Sequence, residues 1–389
     1  MKKIFSLFLI LAGIISTSAF ALANDNELNT KFEALAKRVV ELHMNAIDND
    51  AVMDSYLDAT SDVNVYLAAK EALSTKKTNK NNYQITTTVI ESKVINDTTY
   101  FKVNAKASWK YDGATFESGY GKVIDVIIDN KSGKITDIYD HSNAFDLSVR
   151  GEIDILNEQE RLTSTTANSA AQKYSAKIKK SSAEIEESIA NDKANLTSRI
   201  LTRNQTAYSW IDHDAVVSWA RANYNKSLPT SGRVGVVDYY DFSQISNAWD
   251  CTNFVSHSLL AGGARIHDTR VPSTGWYYWS TADRSHSWSG VNELHNFATN
   301  NTTCGPGGYS MTWSESYTDW SEGDIMQFYN GNIWRHSTVI TGWVYYANGN
   351  LIPVVTGRSS RYEYNNNEEA TEVYSGYAKR ILHLYNYGA

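Results

Sequence analysis

This 389-residue sequence predicts an α+β fold in two separately packed parts. Three observations carry that expectation. An amphipathic helix is followed by Thr-, Val-, Ile- and Tyr-rich runs between turn signals, composition changes sharply near residue 204, and the C-terminal part orders a helix before strands. Length agrees, because one hydrophobic core rarely grows beyond about 250–300 residues.

The first element reads as an export signal. Lys2 and Lys3 precede the apolar run Ile4 to Ile15, and small residues end in Ala21-Leu22-Ala23 before Asn24, which sets an expected 1–23 signal peptide cleaved after Ala23. That run is too short for a membrane span, and no later segment approaches the roughly 18 uninterrupted apolar residues such a span needs. The expected location is extracytoplasmic, secreted or in the cell envelope, with no integral membrane segment in the mature chain. Loss of Lys2 and Lys3 takes the formal charge from −7 to −9. That balance argues against nucleic acid or an anionic membrane as the main partner, since both need a basic patch. Bacterial wall polymers remain open as a partner.

From 24 to 150 the chain opens with an amphipathic helix whose apolar face is Phe32, Leu35, Val39, Val40 and Leu42 to Met44. Strand chemistry follows in Tyr83 to Val94, Thr99 to Tyr111, Gly119 to Asp129 and Lys134 to Tyr139, with turn signals at Asn96-Asp97, Asp112-Gly113 and Asn130 to Gly133. A helix on an antiparallel sheet is expected, an accessory domain whose pattern resembles the nuclear-transport-factor-like (NTF2) and cystatin-like folds. Residues 151–203 are rich in Ala, Ser, Lys, Glu and Asn without a broad apolar face, and read as a solvated helical connector. Ten of the eleven tryptophans lie beyond residue 204, which marks 204–389 as a separate domain. Most should fill its core. Trp276, Tyr277, Tyr278 and Trp279, in a loop-like stretch after Pro272, are the candidates for substrate contact.

Within that domain the stretch Trp249-Asp250-Cys251-Thr252-Asn253-Phe254-Val255-Ser256-His257 carries the chemistry. Asp250 reads as an N-cap, Phe254, Val255, Ser258 and Leu259 recur at helical spacing, and Gly262-Gly263 is a stop signal. Cys251 then falls on the first turn, where the partial positive charge of a helix start lowers a thiol pKa. An ionised Asp250 opposes this unless its carboxylate turns to the N–H groups it caps. A second reading stands beside the reactive one: two cysteines in an exported chain also fit a single disulfide, Cys251 to Cys304. Cys304 itself lies in a turn-rich loop, Asn300 to Gly308.

A thiol nucleophile needs a base and a group that orients it. Of nine histidines, His336 is the best placed, heading Arg335-His336-Ser337-Thr338-Val339-Ile340-Thr341-Gly342-Trp343, a run that reads as a strand entering the core; Ser321 to Phe328 reads as a turn delivering another strand. Tyr239 and Tyr240 are weak candidates for a second oxyanion donor.

Asp250-Cys251-Thr252-Asn253-Phe254-Val255-Ser256, Ala261-Gly262-Gly263, Gly323-Asp324 and His336-Ser337 resemble the Putative amidase domain family of secreted bacterial proteins, itself similar to papain-like cell-wall hydrolases of the CHAP type. The resemblance covers about Asn204 to the C-terminus; His257 stands where the family usually has Gln. It implies a papain-like α+β domain, with Cys251 as nucleophile, His336 as general base, and Asp250 and Asn253 in support. Family members commonly place a polar residue, often another His, on the next strand to orient the base; the run Ile352 to Ser359 has none, which leaves Thr356 or a backbone carbonyl for that part. The implied activity is amide hydrolysis by thiol acyl transfer, as an amidase or peptidase, with peptide or peptidoglycan as substrate. The alternative is a catalytically degraded module that binds wall sugar or peptide through aromatic loops. No metal or nucleotide motif is present and no cofactor is expected; Asp48-Asn49-Asp50 lacks the glycine and terminal Glu of a calcium loop.

Overall fold

A computed structural model describes residues 29–41, 43–44, 80–140, 208–226, 233–234, 237–245, 248–313, 320–347, 349–374 and 377–387. The expected signal peptide, the 151–203 connector and Asp48 to Asp50 lie outside these residues. The described residues fall into two compact units. The first holds 29–41, 43–44, 85–105 and 124–140, and the second holds 80–84, 106–123 and everything from 208 onward.

In the first unit, residues 29–41 form helix α1. Phe32, Ala36, Val39, Val40 and Met44 are buried, a single stripe at helical spacing. Strands β1 (Lys80–Ile95), β2 (Thr98–Tyr111), β3 (Ser118–Asp129) and β4 (Ile135–Asp140) follow within a few residues of the sequence expectation, residues 85–105 and 124–140 of them in this unit. Alternation is the reason they were legible: Phe101, Val103 and Ala105 are buried, as are Ile124, Val126 and Ile128. β3 and β4 pair antiparallel from Ile124↔Asp140 to Ile128↔Ile135. The Thr87 hydroxyl donates to Glu41 at 3.2 Å, tying β1 to the C-terminal end of α1.

The second unit is also α+β, with a large antiparallel sheet. Short strands β5 (Tyr208–Ser209), β6 (Arg233–Val234) and β7 (Val237–Asp238) precede the main ones, β8 (Gly305–Thr312), β9 (Ile325–Tyr329), β10 (Trp334–Tyr345), β11 (Leu351–Arg358), β12 (Tyr364–Glu369) and β13 (Ala378–Tyr387). The sheet runs β12-β11-β10-β9-β13, with β8 on β13, and residues 119–121 of β3 pair with 364–366 of β12. Neighbouring residues take opposite faces. Ile325, Val339 and Leu382 pack with the helices, whereas Met326, Ile340 and Ile381 pack with Met311, Trp320, Phe328 and Val373 on the other side.

Four helices cover the first face: α2 (His213–Asn223), α3 (Cys251–Ala261), α4 (His286–Ser289) and α5 (Val291–Asn300). Asp212 caps α2, its carboxylate accepting the Ala215 N–H at 3.0 Å. α3 is the buried centre, with every residue from Cys251 to Leu259 inside. Gly262 lets α2 and α3 approach, because a Cβ there would lie 2.4 Å from Val216 and 2.8 Å from the Asp212 carbonyl oxygen. Among the described residues no helix is long and apolar enough to cross a membrane.

Candidate active site

Helix α3 begins at Cys251, as the sequence predicts, but Asp250 is not a side-chain cap. Its backbone is already helical (φ −99°, ψ −3°), and its carboxylate makes no bond to the first-turn N–H groups. Instead it turns back to accept from the Phe242 N–H at 3.0 Å, the Asn253 Nδ2 at 2.9 Å and the Tyr239 hydroxyl, and pairs with Arg358 Nε at 3.0 Å. Arg358 is fully buried, and its Nη2 reaches Asp241 at 2.5 Å. Buried charge needs partners, and the guanidinium supplies a stronger one than a helix turn does. The first-turn N–H groups are therefore left for the sulfur and its surroundings. Burial lifts Asp250 to about 7, although Arg358 pulls it down. Asn253 completes the brace by donating to the Tyr240 carbonyl at 2.9 Å and accepting the Trp288 indole N–H at 2.8 Å.

Cys251 and Cys304 are both free thiols, so the disulfide reading does not describe this structure. Cys251 is 4% exposed, and its sulfur lies 3.7 Å from the Thr252 hydroxyl. Below it runs a buried polar chain. Thr252 Oγ1 and Ser337 Oγ are 3.2 Å apart, Gln327 Nε2 donates to Ser337 Oγ at 3.1 Å, and Arg380 Nε donates to Gln327 Oε1 at 2.8 Å. Burial pushes the thiol pKa up; the Ser337 N–H and Thr252 hydroxyl pull it back, and Asp250 pushes it further up. The resting sulfur is thus a thiol rather than the anion that its helix position alone predicts.

His336 is the residue next to Ser337, so the strand that meets Thr252 of the first turn of α3 also carries the imidazole. Pairing of β10 with β9 spans His336↔Phe328 and Ser337↔Gln327, whereas pairing with β11 begins only at Val339↔Thr356. His336 and Ser337 are therefore unpaired on the β11 side. The ring of His336 is buried, and its Nε2 makes no hydrogen bond. Burial, with help from the Arg335 charge, lowers its pKa to about 3. Tyr374 stands against both groups, its ring edge-on to His336 with centroids 5.0 Å apart and its hydroxyl within electrostatic range of Cys251.

Other expected site residues lie elsewhere. Thr356 does not turn toward the imidazole: its hydroxyl pairs with the Thr341 hydroxyl at 2.9 Å and accepts the Asn367 N–H at 3.0 Å. The strand register sets it opposite Val339, three residues past His336. Trp276, Tyr277 and Tyr278 are buried core rather than a substrate platform. Short bridges His267↔Trp276 and Tyr278↔Arg284 fold that loop back, and Trp276 and Tyr278 pack on Trp288 beneath α3. Trp279 alone of the four is open, 42% exposed, with its indole N–H on Asp268 at 2.9 Å. Tyr239 is spent on Asp250 and is no oxyanion donor.

Sequence reasoning missed the aromatic lip. Trp249, 44% exposed, precedes Asp250, and the Arg335 guanidinium stacks on its ring at 3.2 Å. One lip residue precedes each motif in the chain, a signal that adjacency alone contained. Tyr374, in the turn between β12 and β13, gave none. Among the described residues no three His, Cys, Asp or Glu side chains group as metal ligands.

Residues 210–385 match the family model described as Putative amidase domain. This part of the chain is similar to that family. No curated protein and no solved structure matches the chain. The match begins just before α2 and ends within β13, so it takes in the helices, β8 to β13 and both residues at the centre of the site. Within the amidase domain, Gly323-Asp324 has a structural reason. Gly323 has φ +87°, and a Cβ on it would sit 2.6 Å from the His213 ring; Asp324, fully buried, pairs with His383 Nδ1 at 3.1 Å.

Proposed function

We propose that this protein is a secreted cysteine amidase or peptidase that cleaves amide bonds in peptidoglycan through Cys251. The family match supports amide hydrolysis at the coarse level. The observation that favours the thiol is the 3.2 Å contact between the hydroxyls of Thr252, next to Cys251, and Ser337, next to His336, which joins the first turn of α3 to the strand bearing the imidazole. Both groups are neutral at rest, so His336 acts as a general base at the moment of attack rather than as half of a standing ion pair. The sulfur bonds to the amide carbon as its proton passes to the imidazole. The oxygen takes up the carbonyl electrons and is held by first-turn N–H groups. Collapse breaks the C–N bond, and the imidazolium protonates the departing amine. Water, deprotonated by His336, then releases the acyl group as a carboxylate and restores the thiol. The Trp249–Arg335 lip, rather than the buried Trp276 to Tyr278, is the surface that meets substrate.

Peptidoglycan as substrate and export as location rest on the sequence expectations alone. The test is digestion of purified muropeptides and of unrelated peptide amides, read by mass spectrometry. New amine and carboxyl ends from wild type and none from Cys251→Ala support the proposal. Intact muropeptides with cleaved peptide amides overturn the wall substrate; binding without cleavage of either supports the recognition module instead.

A further inference from the structure

The amidase reading lacks an orienting partner for His336, since Thr356 points elsewhere. We propose that Tyr374 is the positioning residue for His336, its aromatic ring doing by edge-to-face packing what a polar side chain does in a conventional triad. This inference rests on the amidase reading and extends it to a residue in the turn after β12.

Four observations converge on Tyr374. Its ring meets the imidazole at 63° with centroids 5.0 Å apart, a T-shaped contact nearer than that of Phe328 at 6.1 Å, and so the one that sets the plane of the imidazole. Its backbone has φ +47°, a left-handed conformation that an aromatic residue adopts only when its surroundings impose it. The ring is clamped in turn, stacked on Tyr377 at 5.2 Å and against Phe328 at 5.6 Å, so it is a rigid wall rather than a swinging one. Finally, its hydroxyl is on the side of Ser359, whose carbonyl accepts the Asp250 N–H at 3.2 Å. Ser359 thus stands between the turn that carries Tyr374 and the residue before Cys251. A turn chosen only for reversal would use Gly or Asn at this φ. The strain is kept where the ring touches the base.

Two variants separate ring from turn. Tyr374→Asn suits the left-handed backbone and keeps the turn while removing the ring; Tyr374→Phe keeps the ring and removes only the hydroxyl. Full-length protein is assayed for kcat and KM on a cleavable peptide amide or muropeptide, and for the iodoacetamide alkylation rate of Cys251, with His336→Ala as reference. Tyr374→Asn is expected to lower kcat by about 10- to 100-fold, as misplacement of a reacting group does, with KM within about 2-fold. Its alkylation rate should fall toward that of His336→Ala. Tyr374→Phe should restore the rate to within about 3-fold of wild type, because the packing contact survives. A folded Tyr374→Asn with wild-type kcat and alkylation overturns the proposal, as does a raised KM at unchanged kcat, which would mark a substrate contact. If wild type cleaves no amide, the amidase reading fails, and the alkylation arm still decides on Tyr374: equal rates in wild type and Tyr374→Asn overturn it.

Discussion

The two cysteines of this chain sit in regions built on opposite logic. Around Cys251 the chain is buried and cross-braced at the start of a helix: the next residue, Thr252, meets the Ser337 hydroxyl at 3.2 Å, and the preceding carboxylate is tied to Arg358. Around Cys304 the bonds are local and partly exposed, with the Asn301 side chain holding the Cys304 and Pro306 carbonyls at 2.7 and 2.9 Å. There the thiol is the donor, 3.6 Å from the Ile266 carbonyl oxygen. The start of a helix favours the thiolate, whereas a carbonyl acceptor favours the protonated thiol. These surroundings, more than the presence of a cysteine, separate a candidate nucleophile from a loop residue.

The sharpest way to break this contrast is by activity. Cys251→Ala and His336→Ala are each expected to reduce amide cleavage by about 10³-fold or more, as loss of a member of a nucleophile–base pair does. Equal activity of Cys251→Ala and wild type would remove the contrast altogether.

Next in size is the brace behind the Cys251 region. Arg358→Met leaves Asp241 and Asp250 buried without their guanidinium, and should cost about 3–5 kcal/mol of stability. The check is the denaturant midpoint at unchanged slope; a loss below 1 kcal/mol, the order found for exposed pairs, would show that the cluster does not hold the helix start.

A smaller effect tests His257, which shares α3 with Cys251. Four aromatic rings surround it, from Trp219, Tyr239, Tyr278 and Trp288, neither ring nitrogen finds a hydrogen-bond partner, and burial lowers its pKa to about 3. The unfolded chain therefore binds a proton that the folded one refuses between about pH 6.5 and 3, so this histidine costs stability as pH falls through that window. Glu368, raised to about 8 by burial, acts with the opposite sign, because the folded state holds the extra proton and stability falls as pH rises past 4.5. Both proteins share that carboxyl. The stability of His257→Gln relative to wild type should therefore improve by up to about 2 kcal/mol from pH 6.5 to about pH 5, followed by thermal unfolding. A pH-independent difference would contradict the buried neutral imidazole.

The smallest effect belongs to the other region. Cys304→Ser should change stability by no more than about 0.5 kcal/mol and leave amide cleavage at the wild-type rate. A large loss of activity would mean that the loop contributes to the site after all.

Much of the scaffold was legible because its signals are local. The β1 to β4 limits follow from alternating apolar residues and from turns in which Asn96 and Gly133 take φ 54° and 66°. The α3 start at Cys251 follows from helical spacing and a glycine stop. The aromatic stretch Trp276 to Trp279 was not legible, because loop composition does not say which side an indole faces. The role of Asp250 was misread for a related reason. Capping is a local default, and the buried Arg358 that overrides it lies 108 positions along the chain.

What the sequence determined by itself is therefore a thiol on the first turn of a helix and an imidazole at the head of a strand, since both depend on neighbours a few residues away. Only the tertiary structure decided that the first turn of α3 meets Ser337, that the imidazole is neutral, and that Tyr374 rather than Thr356 stands beside it. Protonation and orientation are set by desolvation and contact, and those come from residues that only folding brings together.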